Sequence, residues 1–141
     1  MIERFHDIAA WFEALTPQTL NSAGLIYADS AHFADPFNDV HGLPAIVRIY
    51  AHMFQNLDQP RFHIARQVVQ GADAFLVWRF TGTLRGRPFA IDGASALTLD
   101  AQGLIADHQD YWDPASQVYE RIPLLGAVLR RLRRKLATPD S

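Results

Sequence analysis

The densest run of residues able to do chemistry is Leu104 to Tyr119, LIADHQDYWDPASQVY. It reads as a strand that carries acids and a histidine. A strand alternates its side chains between two faces, so His108, Asp110 and Trp112 point one way while Asp107, Gln109, Tyr111 and Asp113 point the other. Residues two apart on one strand face sit side by side, and a carboxylate beside an imidazole sets its tautomer and its pKa. The chemistry on offer is proton transfer. The expectation is that His108, Asp110 and Trp112 line a pocket, against the alternative of a buried polar network that merely has to be hydrogen-bonded.

Asp35 is the third candidate acid. Pro36 disfavours helix at Asp35 and denies a ladder hydrogen bond at its own position, so Asp35 sits where a strand ends. It is read either as a catalytic group or as a turn cap that binds its own backbone. Trp11, Tyr50, Trp78, Phe80 and Trp112 are read as core or pocket wall, with Leu97 beside them, which implies an apolar small-molecule ligand. Of the six histidines, His6, His32, His41, His52 and His63 show no HxxxH or HxH spacing, and His108 with Asp110 makes one HxD, too little for a closed metal site. No metal and no cofactor are expected.

The elements that must position these groups follow from periodicity. Ile2, Phe5, Ile8, Ala9, Phe12 and Leu15 fall at helical spacing, giving a first helix. Thr16-Pro17 reads as an N-cap and first helical position, opening a second helix to about Tyr27. Ala31 to Phe37 is strand-like, NDVHG is turn-rich, and Leu43-Pro44 starts a third helix with Ile46, Ile49, Tyr50, Met53, Phe54 and Leu57 on its apolar stripe. The period then switches to two. Arg61 to Gln70, Phe75 to Leu84, Arg87 to Leu99 and Leu104 to Trp112 read as four strands of an antiparallel meander, with Leu76, Trp78 and Phe80 on the greasier face of the second. From Ala115 the pattern is helical again, and residues 121–141 form a basic amphipathic helix and tail with Leu124, Leu125, Val128, Leu129, Leu132 and Leu136 on one side.

The fold class is therefore α+β: a cone-shaped curved antiparallel sheet covered by three N-terminal helices, with an amphipathic C-terminal helix. Residues 1–120 make the cone domain. At 141 residues, 49% of them hydrophobic and 20% charged, one domain with a sizeable core is expected. A formal net charge of -2 argues against nucleic acid as main partner. The absence of cysteine suits a reducing cytosol, and MIERFHDI lacks an apolar signal core, so a cytoplasmic protein is expected. The leucine face of the last helix, opposite its arginines, fits either the domain and a partner subunit or an anionic membrane surface.

In the order of its elements, in ADPF after the second helix, AIVRIY in the third and DAQGLIADHQDYWD near the end, the chain resembles the nuclear transport factor 2-like superfamily. The resemblance spans roughly residues 3 to 120 and points to the SnoaL-like and ketosteroid-isomerase-like branch. Laid over ketosteroid isomerases, Asp35 matches their general base and Tyr50 a supporting tyrosine. Trp11 stands where they carry an oxyanion-hole tyrosine, and Ser95 where they hold a protonated aspartic acid. Neither Trp11 nor Ser95 reproduces that chemistry. Laid over limonene-epoxide-hydrolase-like members, DYWD places one catalytic aspartate at Asp110. Leu76 and Trp78 fall at their other positions, and a three-residue shift brings in Arg79 and Thr81 but no second acid. SnoaL-like aldol cyclases need only one acid–base residue in an apolar cavity, a role Asp110 or His108 fills.

The resemblance thus implies a cofactor-free isomerase, cyclase or epoxide hydrolase acting through Asp110, His108 and Asp35. The competing class is a non-catalytic ligand-binding or dimerisation module. A homodimer is expected, with Phe75, Val77, Ala94, Ala96 and Tyr111 on the outer sheet face between the subunits.

Overall fold

A computed structural model of the chain describes residues 1–114 and Arg134. Helix α1, Ile2–Glu13, buries Phe5, Ile8, Ala9 and Phe12, one residue or one turn apart, as the sequence period requires. The next segment is not the expected α-helix but a 3-10 helix, Thr19–Leu25. Thr16 Oγ1 does accept the Thr19 backbone N–H at 3.1 Å. Asn21, Ser22 and Gly24 are weak helix formers, however, and the turn tightens and stops.

Strand β1, Tyr27–Ala34, begins where that helix ends, and β2 is the short Asp39–His41. Helix α2, Leu43–Asn56, starts on Pro44 in its first turn and buries Ile46, Ile49, Tyr50 and Met53. Four long strands follow: β3 (Asp58–Gln70), β4 (Asp73–Leu84), β5 (Arg87–Leu99) and β6 (Ile105–Tyr111).

These six strands form one curved, open sheet in the order β2-β1-β6-β5-β4-β3. The meander from β3 to β6 is antiparallel, as expected. The sheet as a whole is mixed, because β1 lies parallel to β6. That pairing joins segments far apart in sequence, which no local period signals. β1 also bulges between Tyr27 and His32 while keeping Tyr27, Ala31 and Phe33 buried.

Helices α1 and α2 cover the concave face, α1 against β3 and α2 against β1 and β3. In β4, Ala74, Leu76, Trp78 and Phe80 are buried and Phe75, Val77 and Arg79 exposed, the period-two pattern of a sheet with one covered face. The expected C-terminal helix over 121–141 lies outside the described residues, as does its membrane or subunit contact. Among the described residues no helix is long and apolar enough to cross a membrane.

Candidate functional site

The register of β6 is set by the turn before it. Asp100 Oδ1 accepts the backbone N–H groups of Gln102 and Leu104 at 2.9 and 3.0 Å, and Gly103 takes φ +77°, where a side chain would be strained. From that turn β6 pairs with β5 so that His108 faces Leu97 and Asp110 faces Ser95. The expected parity holds: His108 is 3% exposed, whereas Asp107 and Tyr111 on the other face are exposed.

A chain of hydrogen bonds runs through this concave face. Trp78 Nε1 is 2.9 Å from Ser95 Oγ, Ser95 Oγ bonds Asp110 Oδ1, and Asp110 Oδ1 is 2.7 Å from His108 Nε2. His108 Nδ1 is 2.7 Å from the Tyr27 hydroxyl, which is 2.8 Å from that of Tyr50. Its direction can be assigned. An indole N–H only donates, so Ser95 Oγ accepts from Trp78 and its own proton goes to the carboxylate. His108 donates Nε2–H to the same oxygen. With neutral imidazole, Nδ1 accepts from Tyr27 and Tyr27 accepts from Tyr50. Every donor points toward Asp110. Its other oxygen, Oδ2, accepts no hydrogen bond among the described residues.

Burial, foremost, holds the Tyr27 and Tyr50 hydroxyls well above the usual phenol range. The neighbouring Tyr50 and the Asp110 charge add to this at Tyr27, and Asp110 adds at Tyr50. Both are therefore protonated donors at neutral pH. Packing fixes the imidazole: Phe33 lies 4.6 Å from the His108 ring, and Phe12 meets it edge-on at 5.9 Å. The Trp78 indole fits because residue 93 is glycine; a Cβ there would come within 2.6 Å of the indole ring and 2.8 Å of the Tyr111 carbonyl.

Phe12, Tyr50, Phe62, Ile64, Leu76, Trp78, Ser95, His108 and Asp110 line a cavity of about 20 Å³. That admits roughly one water molecule. The sequence predicts a hollow able to hold an apolar ligand; aromatic and aliphatic side chains fill most of it here.

Residues 8–108 match the family of SnoaL-like domains. The chain belongs to that family. No functionally curated protein matches it. Its fold is similar to that of an LEH-like epoxide hydrolase from M. tuberculosis, at 16% identity over 93% of this chain and 96% of that one, with a TM-score of 0.72. A putative SnoaL-like polyketide cyclase from Shewanella putrefaciens CN-32 is 17% identical over 85% and 98%, with a TM-score of 0.70. A hypothetical protein of ketosteroid-isomerase-like fold from Catenulispora acidiphila DSM 44928, in complex with trimethylamine, is 22% identical over 79% and 85%, with a TM-score of 0.66. At these identities the likeness is one of fold.

Within this SnoaL-like domain, His108, Asp110, Tyr50, Trp78 and Ser95 come together as expected. Others do not. Trp11 is half-buried and donates its indole N–H to Ser22 Oγ at 2.9 Å. Phe80 and Leu97 are core residues off the cavity, and Trp112 packs on Phe37 at 5.5 Å. Asp35 stands outside the cavity lining, where its Oδ1 accepts the Phe37 and Asn38 backbone N–H groups at 2.7 and 2.6 Å. Burial raises its pKa to about 6 against those lowering hydrogen bonds, with the Asp110 charge adding to the rise. Arg79, which the epoxide-hydrolase comparison brings in, is exposed on the outer face and paired with Asp92 at 2.8 Å.

Sequence reasoning misses Tyr27, Phe12 and Phe62. Tyr27 reads as a helix end; only the alternation Tyr27, Ala31, Phe33 marks it as an inward strand residue. Sequence spacing also leaves a cluster unseen: His32, Asp39 and His41 converge on the outer face.

Proposed function

We propose that the chain is a cofactor-free acid–base catalyst for a small, largely apolar molecule, working by isomerisation, cyclisation or epoxide opening. Asp110 is the group that moves the proton. The observation that carries this reading is the saturation of Asp110 Oδ1 by Ser95 and His108 at the cavity wall, which leaves Oδ2 as the oxygen for a substrate proton. His108, held by Tyr27 and Asp110 together, positions the carboxylate and stabilises its charge. Asp35 holds the turn after β1 by accepting the Phe37 and Asn38 N–H groups, close enough to the site to feel the Asp110 charge.

A substrate larger than water enters by displacing Phe62 and Ile64. Both lie on β3, an edge strand that is bulged in two places. An edge strand paired on one side gives way more readily than a central one.

The test is turnover of a panel of cyclic enones and terpene epoxides by wild type and Asp110→Asn. General acid–base groups contribute about 10²–10⁴-fold, so a loss of that size is expected. Equal turnover by the two proteins overturns the reading. The small cavity favours a second reading, a non-catalytic module in which the same polar chain locks the core. Saturable binding of panel members with no turnover by wild type selects it.

We further propose a homodimer through the outer sheet face. Val68, Phe75, Val77 and Tyr111 are exposed there, and the register sets Val68 against Phe75 and Tyr111 against Ala94. Light scattering at micromolar concentration checks it, and a monomeric mass contradicts it.

A further inference from the structure

The β1–β2 register gathers histidines that the sequence separates. His32 lies directly opposite His41, and Ala34 opposite Asp39, so His32, His41 and Asp39 share one patch at the sheet edge. The two imidazole rings stack at 4.6 Å, and one ligand atom from each of the three residues lies within 4.8 Å of the others. His32 Nε2 is 2.6 Å from Asp39 Oδ1. On its other side, His32 Nδ1 is 2.7 Å from Asp107 Oδ1, supplied by the parallel neighbour β6.

We propose that His32 Nε2, the Asp39 carboxylate and an imidazole nitrogen of His41 bind a late first-row divalent cation, Zn²⁺ foremost, with Asp107 as the partner that orients His32. Two imidazoles and a carboxylate without thiolates suit Zn²⁺, Ni²⁺ or Cu²⁺ rather than Mg²⁺ or Ca²⁺, which prefer oxygen ligands throughout.

The arrangement around His32 supports this. A metal-bound histidine generally donates its second N–H to a carboxylate, which fixes the tautomer and leaves the other nitrogen for the ion. Asp107 stands where that partner belongs. A ligating imidazole nitrogen carries no proton, so the hydrogen bond between Nε2 and Asp39 is given up and a proton released when the ion binds.

The remaining fit is short-range. Ligand atoms bonded at about 2.0–2.2 Å to one tetrahedral ion lie roughly 3.3–3.6 Å apart. His32 Nε2 and Asp39 Oδ1, now 2.6 Å apart, must therefore open, within a cluster whose three ligand atoms span no more than 4.8 Å, so a modest rotation is needed. Asp39, with a 73% exposed side chain, is free to make it. Three protein ligands leave a coordination position for water.

Such an ion would pin β2, only three residues long, to β1. β2 leads through Gly42 into α2, the helix that carries Tyr50, so the outer patch bears on how firmly one wall of the cavity is held. The site itself is independent of any catalysis at Asp110.

Untagged protein titrated calorimetrically with ZnCl₂, and separately with NiCl₂, tests the proposal. One equivalent is expected to bind with a micromolar or tighter Kd. Asp107→Asn should weaken binding about 10–100-fold, the usual cost of losing a partner that orients a ligand. His41→Ala, at an exposed position where misfolding is not expected, should abolish it, while His6→Ala and His63→Ala leave it unchanged. Thermal unfolding should shift upward with Zn²⁺ in wild type but not in His41→Ala. Absence of saturable uptake at about 100 μM Zn²⁺, or a His41→Ala isotherm that superimposes on wild type, overturns the proposal.

Discussion

One pair of strands carries a histidine–aspartate arrangement on each of its faces. On the concave side of β1 and β6, His108 is 3% exposed and bonded to Asp110 and Tyr27; on the convex side, His32 is bonded to Asp39 and Asp107 with its side chain 29% exposed. The two are register neighbours, since His32 pairs with Asp107 and Phe33 with His108. Residue type and hydrogen-bond distance are nearly the same on the two faces. The medium differs. Inside, each polar atom depends chiefly on its protein partner because little water reaches it; outside, water competes for every bond.

The largest effect expected from that contrast is on folding stability. His108→Ala strips Asp110 of a donor and Tyr27 of an acceptor and leaves a hole between Phe33 and Phe12, which together should cost about 2–4 kcal/mol. Urea denaturation measures it. Tyr27→Phe tests the same network more gently, removing the proton offered to His108 and the acceptor used by Tyr50 while keeping the ring. About 1–2 kcal/mol is expected. If Tyr27→Phe and wild type unfold at the same urea concentration, the inner chain is not the stabilising unit that the contrast requires.

How far this contrast is legible in the sequence depends on which contacts are local. The expected strands 61–70, 75–84 and 87–99 fall within the observed β3, β4 and β5, and helix α2 begins at the expected Leu43, because alternation and helical period are written in neighbouring residues. The inward parity of His108 and Asp110 comes from the same signal. Tyr27 does not, because its place depends on a 3-10 helix ending early and on β1 reaching β6 across most of the chain. The outer patch is hidden for a related reason: NDVHG has the composition of a turn, and only pairing with β1 turns Asp39 to His41 into a strand opposite His32. The small size of the cavity is also unreadable from pattern, since alternation says which side chains point inward and not how tightly they interdigitate.

Asp35 lies between the two extremes and gives a pH-dependent test. Burial raises its carboxyl from 3.8 to about 6, so the folded state holds this proton more tightly than the unfolded chain does. Its contribution to stability is therefore fully present below about pH 3.8 and lost as pH rises through about 6. Asn at this position keeps an acceptor for the Phe37 and Asn38 N–H groups and has no charge to desolvate. Asp35→Asn should be more stable than wild type at pH 7.5, by about 1–2 kcal/mol after allowance for partial exposure, with the advantage fading toward pH 4. A difference that stays constant between pH 4 and 7.5 would mean that the turn contacts alone, and not the carboxyl's burial, set its behaviour.

The smallest effect belongs to the convex side. In the presence of a chelator, His32→Ala removes bonds to Asp39 and Asp107, whose side chains are 73% and 51% exposed, so water takes over both carboxylates at little cost. A change of about 0–1 kcal/mol is expected, well below that of His108→Ala despite equally short hydrogen bonds. The comparison sharpens when Zn²⁺ replaces the chelator. An ion bound to the folded state alone adds stability to wild type in proportion to the logarithm of its concentration over Kd, and His32→Ala should forfeit that increment. Unfolding curves for the two proteins should therefore lie close together in chelator and separate as Zn²⁺ is raised. If they are already far apart in chelator, the outer arrangement is structural in its own right and exposure is not what distinguishes the two faces.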